Sequence, residues 1–342
     1  MIKYDLIYAL IALIICLFLV PLVGKLAIKI GAVDKPNARK VHTTLMPRMG
    51  GLAIYLSFVA VIVFTQPMTR ELIGLILGAT LLIAVGIWDD CKDIPAKVKL
   101  VGQIAAACIP VAFGIRVEFM SNPLDGLPLH LAIFSIPVTV IWIVGIINAV
   151  NLIDGLDGLA AGTSIIAAIT MAIVGYSSGQ YTMMALALIL AGAALGFLRY
   201  NFHPAKIFMG DTGSMFLGYV LSVLAVMGVA KSVTFISLVT PILVLGIPIF
   251  DTLFAIVRRT IKHQPLFKPD KEHLHHCLLN MGFSHRNTVL VIYGINIVLA
   301  ASGLLISYVT TTQAMILLVI ISTAVLIGAR KLGIIGLKTP AV

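Results

Sequence analysis

The run Leu6–Val23, LIYALIALIICLFLVPLV, is eighteen residues long and carries no charged side chain. Wound as an α-helix it would reach about 27 Å, close to the roughly 30 Å of hydrocarbon in a bilayer. Ten more apolar runs follow along the 342 residues: Gly50–Thr65, Leu72–Trp88, Leu100–Ile115, Leu131–Val150, Leu159–Gly175, Met183–Leu198, Ser214–Ala230, Val233–Phe250, Val289–Tyr308 and Ala314–Ala329. A bilayer interior offers no partner to a bare backbone N–H or C=O, so each run is expected to be helical. The period-2 alternation of a membrane barrel is absent. The sequence therefore predicts an all-α, polytopic transmembrane helical bundle of about 11 spans, forming one domain over residues 1–342. The first run does not read as a cleaved leader, because Lys25 and Lys29 follow it and no small-residue cleavage site is evident.

Composition agrees. Hydrophobic residues make up 60% of the chain and charged residues 11%, against roughly 45–50% and about 25% in soluble domains; mean hydropathy is +1.09. Basic residues set the expected orientation. With the N-terminus outside and the C-terminus cytoplasmic, only Lys3, Arg70, Arg116 and Lys231 lie outside, which leaves 20 of the 24 Lys and Arg on the inner side. The net charge of +10 is thus a consequence of topology, and with no soluble basic domain the chain is not expected to bind nucleic acid. Cys16, Cys91, Cys108 and Cys277 are scattered without metal or redox spacing.

Nearly all polar chemistry falls in five inner loops, at about 31–49, 88–99, 148–158, 199–213 and 258–287. Asp89 and Asp90, beside Trp88, put two carboxylates at the end of the third span. Acids near membrane depth generally have a task, here a metal or proton-transfer site, although a solvated helix end explains the pair as well. Asn151, Asp154 and Asp157 lie three apart, which on a helix places them on one stripe facing a common centre. Three oxygen-bearing groups there suit Mg²⁺, which favours carboxylates plus substrate phosphates; simple helix capping would account for only one of them. MGDTGS, Met209–Ser214, opens the eighth span. Its Asp211 could be a plain N-cap or a metal ligand beside amides that meet a phosphate. His273, His275 and His276 form HLHH behind Arg258, Arg259 and Lys262, which fits phosphate binding. A zinc site is the weaker alternative, since no Cys or Glu completes a known spacing. His42 and His203 have no clear role, and His130, on the outer side, reads as inert. Acids for Mg²⁺ and many cations for anions together fit an anionic diphosphate reacting at the membrane surface.

These motifs, in this order and on one side, resemble the polyprenyl-phosphate N-acetylhexosamine-1-phosphate transferases, the superfamily of MraY-like and WecA/TagO-like enzymes. The resemblance runs from VDKPNARKVHTTLMPRMGG, Val33–Gly51, through Arg286. MPRMGG and HLHH are similar to the GlcNAc branch, and AKVKLVGQ with NFHPAKIFMGDTGS is similar to its teichoic-acid members. It implies transfer of GlcNAc-1-phosphate from UDP-GlcNAc to undecaprenyl phosphate, giving a lipid-linked diphosphate sugar and UMP at the cytoplasmic face of the cell membrane. It implies Mg²⁺, with Mn²⁺ as an alternative, held by Asp211 with Asn151 and Asp154. Asp89 and Asp90 are implied as catalytic, Lys99 and Arg48 as phosphate-side cations, and Asp157, Asn201 and Phe208 as lining the nucleoside pocket. His273, His275 and His276 would lie beside the diphosphate. Membrane lipid is the other expected partner, and a homodimer is compatible with this reading. Asp251, in PIFDTLFAIVRR, matches an acid of the family, but sequence assigns it no role.

Other classes fit less well. A transporter predicts charges within several span centres and weak internal repeats, yet the span interiors are almost free of charge. A structural scaffold needs no Mg²⁺-type cluster. A CDP-alcohol phosphatidyltransferase would show DGxxAR and a UbiA-like prenyltransferase NDxxDxxxD, whereas this chain has NLIDGLDGLA.

Overall fold

The computed structural model describes residues 2–34, 45–121, 128–230, 235–264 and 272–334. Helices dominate: α1 (Ile2–Ile30), α2 (Gly51–Thr65), α3 (Arg70–Lys92), α4 (Ala96–Ala112), α5 (Ser135–Ile153), α6 (Leu159–Ser177), α7 (Tyr181–Asn201), α8 (Gly210–Ala230), α9 (Phe235–Val244), α10 (Gly246–Ile261), α11 (Leu274–Asn280), α12 (His285–Ile306) and α13 (Thr311–Lys331). Two short antiparallel ribbons pair Val33–Asp34 with Met46–Pro47 and Phe119–Ser121 with Pro128–His130. Among the described residues, eight helices are long and apolar enough to cross a membrane: α1, α3, α5 with its preceding 3₁₀ turn, α6, α7, α8, α12 and α13. Large side chains such as Phe18 on α1 and Ile316, Val319 and Ile320 on α13 stand exposed along these helices. Such apolar faces suit lipid rather than water. The chain is an all-α polytopic membrane protein.

The apolar runs of the sequence all fall on helices, but the ninth is not one segment. The described part of that run, from Phe235 to Phe250, divides between α9 and α10 at Leu245, where φ −95° and ψ 21° interrupt the helix. Pro248 has no N–H to donate to the Val244 carbonyl, so the helical ladder lapses there. The fifth run enters through the Ala132–Phe134 3₁₀ turn, and α5 proper starts at Ser135.

Helix α8 is the axis of the bundle. Met215, Phe216, Leu217, Tyr219, Val220 and Leu221 are wholly enclosed. Phe216 meets Tyr55 and Phe58 of α2 edge-on, with 5.7 Å between ring centroids in each pair, a favoured aromatic arrangement. The Tyr219 hydroxyl donates to the Leu75 carbonyl of α3 at 3.1 Å, and the Trp142 indole N–H of α5 donates to the Ser222 carbonyl of α8 at 3.1 Å. Such interhelical bonds matter where lipid, as apolar as leucine, gives helices no hydrophobic reason to associate. The first turn of α8 presses so closely on α2 that a Cβ on Gly51 would lie 1.9 Å from the Gly213 Cα.

Gly51→Ala is therefore expected to cost about 1–3 kcal/mol of stability through overpacking. The midpoint of thermal unfolding in detergent should fall for this variant. It should hold for Gly145→Ala, whose added methyl meets nothing within 4 Å.

Candidate active site

At one end of the bundle, the close of α3, the start of α4, the close of α5 and the start of α8 converge. The two acids that end α3 have different tasks. Asp90 accepts from the N–H of Asp211 at 2.9 Å through one oxygen. Through the other it accepts from the N–H of Thr212 at 3.1 Å and from its hydroxyl at 2.6 Å. It is thus the N-terminal cap of α8, supplied by another helix, and it satisfies amides that α8 cannot satisfy itself. Gly210, with φ +70°, makes this possible, since a Cβ there would fall 2.4 Å from an Asp90 oxygen. Sequence suggested that Asp211 caps α8 or that these amides meet a phosphate. They bond Asp90 instead, and Asp211 is left to face outward from the first turn.

Asp89 accepts from the Ile94 N–H at 3.1 Å and from Lys99 Nζ at 2.9 Å. Lys99 also bonds Asp211, so one ammonium joins the end of α3 to the start of α8. Carboxylate oxygens of Asp89, Asp90 and Asp211 all lie within 4.8 Å of one another. Arg48, brought in by the segment that follows the first ribbon, sits 4.0 Å from Asp90 and 3.5 Å from Asp93. That segment is fixed by pairing with the stretch before α8. Phe208 N–H donates to the Pro47 carbonyl, Gly50 N–H to that of Phe208 and Gly51 N–H to that of Met209, at 2.9 to 3.0 Å.

Beside this cluster opens a polar cavity of about 350 Å³ whose walls include Asp34, Arg48, Asn151, Asp154, Asp157, Asn201, Phe208 and Asp211. The spacing of Asn151, Asp154 and Asp157 suggested a helical stripe, but α5 stops at Ile153 and Asp154 is its C-cap. A turn containing Gly155 and Gly158 carries the acids round, and all three residues still reach the same cavity. Asn151 donates to the Ser214 hydroxyl at 2.8 Å. Burial first, and then the carboxylates of Asp211, Asp90 and Asp157, push the half-buried Asp154 carboxyl up to about 8.

The turn is held from several directions. Asn201 accepts from the Gly158 N–H and donates to the Ile207 carbonyl, both at 3.0 Å. The Asp157 carboxylate meets His203 Nδ1 at 2.9 Å and the Ala205 N–H at 3.1 Å, while its own N–H donates to His285 Nε2 at 3.0 Å. The rings of His203 and His285 stack at 4.3 Å, 16° from parallel. Ligand atoms of these three residues also lie within 4.8 Å of each other, but near-parallel imidazoles do not converge on one ion. The group locks the turn.

The HLHH residues sit on α11 and just before it. Asp251 on α10 accepts from the Leu274 N–H at 2.9 Å and bonds His273 Nδ1 at 2.8 Å, which gives that acid its role: it anchors α11. His275 is buried against the turn, where a Cβ on Gly155 would lie 2.6 Å from its Nε2, and His276 packs on it with ring centroids 4.2 Å apart. Burial first, then His276, lowers the His275 imidazole to about 4. It is neutral at pH 7 and can hydrogen-bond a phosphate without adding charge. Arg258 and Lys262 turn to Glu272, at 3.0 and 2.8 Å, and brace the arm. Among the described residues the HLHH imidazoles form no metal-ligand group of three, so nothing here favours zinc.

Every candidate residue named from sequence is therefore found at this end of the bundle. His42 lies outside the described residues, as do Lys35, Arg39, Lys40, Lys268 and Lys271. Sequence reasoning passed over His285, Thr212 and Asp34. All three stand in loops already marked as polar, but nothing local shows which groups they meet in space.

Fold and cavity together define a polytopic membrane enzyme whose polar chemistry is confined to one end of a helical bundle. Residues 72–229 match glycosyl transferase family 4. The chain is 46% identical to the probable undecaprenyl-phosphate N-acetylglucosaminyl 1-phosphate transferase of Bacillus subtilis, across 96% of this chain and 92% of the relative. It is 36% identical to the decaprenyl-phosphate N-acetylglucosaminephosphotransferase of Mycobacterium tuberculosis, across 82% and 77%. It is 29% identical to the undecaprenyl-phosphate alpha-N-acetylglucosaminyl 1-phosphate transferase of Salmonella typhimurium, across 84% and 80%. The chain belongs to glycosyl transferase family 4, in agreement with the resemblance carried by its loop motifs.

Two outcomes follow from the geometry. Asp90→Asn keeps one acceptor where three donors converge, so it should cost about 1–3 kcal/mol in unsatisfied buried groups; Asp211→Ala, which leaves the cap intact, should melt close to the wild type. His275 is neutral when folded but takes up a proton below about 6.5 when unfolded. Stability therefore falls as pH drops from about 6.5 toward 4. The loss in melting temperature between pH 7 and pH 5 should be smaller in His275→Gln.

Proposed function

We propose that this enzyme transfers GlcNAc-1-phosphate from UDP-GlcNAc to undecaprenyl phosphate, forming undecaprenyl-diphosphate-GlcNAc and UMP. This would be the first lipid-linked step of a teichoic acid-like wall polymer or a surface polysaccharide. The observation that carries the reading is the meeting of Asp89, Asp211, Lys99 and Arg48 beside a polar cavity, at one end of a membrane bundle. The printed activities of the three relatives agree with it. A transferase joining a soluble nucleotide sugar to a lipid needs such a cavity where water and bilayer meet. The 20-to-4 bias of basic residues supports a reading with that end in the cytoplasm and the N-terminus outside, with eleven crossings of the cell membrane if α2, α4 and the broken α9–α10 segment each span it.

The carboxylates suit a divalent cation. Asp211, Asn151 and Asp154 would hold Mg²⁺, with Mn²⁺ as a substitute, and the mutual repulsion of acids that adds to burial at Asp154 is what such an ion would relieve. When bound, the ion neutralises charge on the donor diphosphate and on the departing UMP. The protein's own groups do the rest. Phe208 and the turn carrying Asp157, held open by Asn201, form the nucleoside wall. Arg48 and Lys99 face the phosphates, and neutral His275, with His276 packed on it, offers a hydrogen bond from the arm. Asp89, on Lys99, aligns the acceptor and takes any residual proton, and Asp90 acts by holding the start of α8. A phosphate monoester is mostly dianionic at neutral pH, its second pKa being near 6. It can therefore attack directly, and little base catalysis is required. An apolar cleft of about 640 Å³ between α10, α12 and α13 ends at Asp251 and Leu274 and offers a path for the isoprenoid chain.

Purified protein should release UMP from UDP-GlcNAc only when undecaprenyl phosphate and Mg²⁺ are both present. Other UDP-sugars should serve poorly, and Asp211→Ala should lower turnover by about 10²-fold or more. Stoichiometric UMP without acceptor would show a covalent phospho-aspartate instead of direct attack, and unaltered turnover in the variant would remove Asp211 from the site.

A further inference from the structure

A second cavity, of about 870 Å³, lies apart from the carboxylate cluster, on the outer side of the bundle between α1 and α7. Its apolar part is built from Leu13, Leu17, Phe18 and Leu195, with Gly196 as the floor, where a Cβ would fall 2.6 Å from the Leu13 carbonyl oxygen. At one end the lining changes character. Arg199 closes α7, Lys206 follows in the next loop, and both side chains are exposed. The lining contains no acidic residue. Among the described residues no hydrogen bond or ion pair engages either cation's side chain. Tyr200 completes this end, its hydroxyl donating to the Leu17 carbonyl at 3.3 Å.

The groove thus has two properties that rarely coincide by chance. From Leu13 to Pro21 its wall follows α1 for about 12 Å, presenting apolar surface at bilayer depth. At the level where the helices leave the bilayer it offers two cations, Arg199 and Lys206. Polar and apolar parts follow each other in the order of a phospholipid standing in a leaflet. Basic pockets between membrane helices recognise anionic head groups in this way. We propose that the groove between α1 and α7 is a binding site for one anionic phospholipid, its phosphate on Arg199 and Lys206 and an acyl chain along Leu13, Leu17, Phe18 and Leu195. A zwitterionic lipid fits less well, because its ammonium would meet two cations and no carboxylate.

The site also touches the catalytic end through a short path. The Lys206 N–H donates to the Tyr200 carbonyl at 2.8 Å, and one residue earlier the Ala205 N–H donates to Asp157. A lipid phosphate on Lys206 therefore steadies the loop that supports the Asp157 turn. The proposal does not rest on the transferase reading, and binding can be measured without turnover.

The test is native mass spectrometry of the full chain in detergent, titrated in parallel with phosphatidylglycerol and phosphatidylethanolamine. Wild type should retain one phosphatidylglycerol with about a tenfold preference. Arg199→Gln/Lys206→Gln should lose that preference while melting like the wild type. Equal retention of the two lipids by wild type, or an unchanged preference in the variant, would overturn the proposal. So would displacement of the bound phosphatidylglycerol by one equivalent of undecaprenyl phosphate, since the groove would then be the acceptor's own.

Discussion

Three hydrogen bonds to one carboxylate organise the catalytic end of this protein. Asp90, at the close of α3, accepts from the first amides of α8 and from the Thr212 hydroxyl. Without it, the first turn of α8 would leave buried donors unmatched at a depth where water is scarce. With it, α8 begins where α3 ends, and Asp211 is carried to within reach of Lys99 and Asp89. The close approach at Gly51 and the positive φ of Gly210 belong to the same junction, because a side chain at either would push α8 away from the acid that caps it. One capping interaction between helices far apart in sequence thus determines where the clustered carboxylates stand.

Around that junction negative charge is concentrated beyond what the local cations balance. Asp34, Asp154, Asp157 and Asp211 share one cavity wall with a single arginine, and Lys99 is already divided between Asp89 and Asp211. Burial first, and these neighbouring carboxylates after it, raise the Asp154 carboxyl above the usual carboxylate range. Structural ion pairs are normally arranged to avoid such an imbalance. Carboxylates gathered in this way suit a hard cation, which is the basis on which Mg²⁺ is proposed for this cavity.

The helices were legible because a bilayer allows few ways to bury backbone. A long apolar run can hardly be anything else, and the described helices follow the runs, although α1 continues seven residues past Val23 and α10 eleven past Phe250. The interruption at Leu245 was visible only as a pair of prolines, Pro241 and Pro248, inside an otherwise continuous run. The acids were equally plain, since charges are rare in such a chain and stand out by contrast. Their partners were not. That Asp90 caps α8 depends on two helix ends meeting in space, and periodicity carries no trace of it. The i, i+3 spacing of Asn151, Asp154 and Asp157 pointed to the right cavity for the wrong reason: α5 had already ended, and it is the turn at Gly155 and Gly158 that gathers them. His285 escaped notice because its partner is a backbone N–H, which sequence never displays.

The same turn is where the two halves of the bundle meet. One apolar cluster gathers residues of α1 to α9, and a second gathers Ile247, Leu274, Leu278, Val289, Ile292 and Leu299 from α10, α11 and α12, with Leu159 just beyond the turn. The second half grips the turn directly. The Tyr293 hydroxyl donates to the Gly158 carbonyl at 2.5 Å, His285 holds the Asp157 N–H, and His275 lies against Gly155. The first half grips it through Asn201 and Ala205. A shift of α10–α12 against the core would therefore be felt first at Asp154 and Asp157, before any other part of the cavity wall.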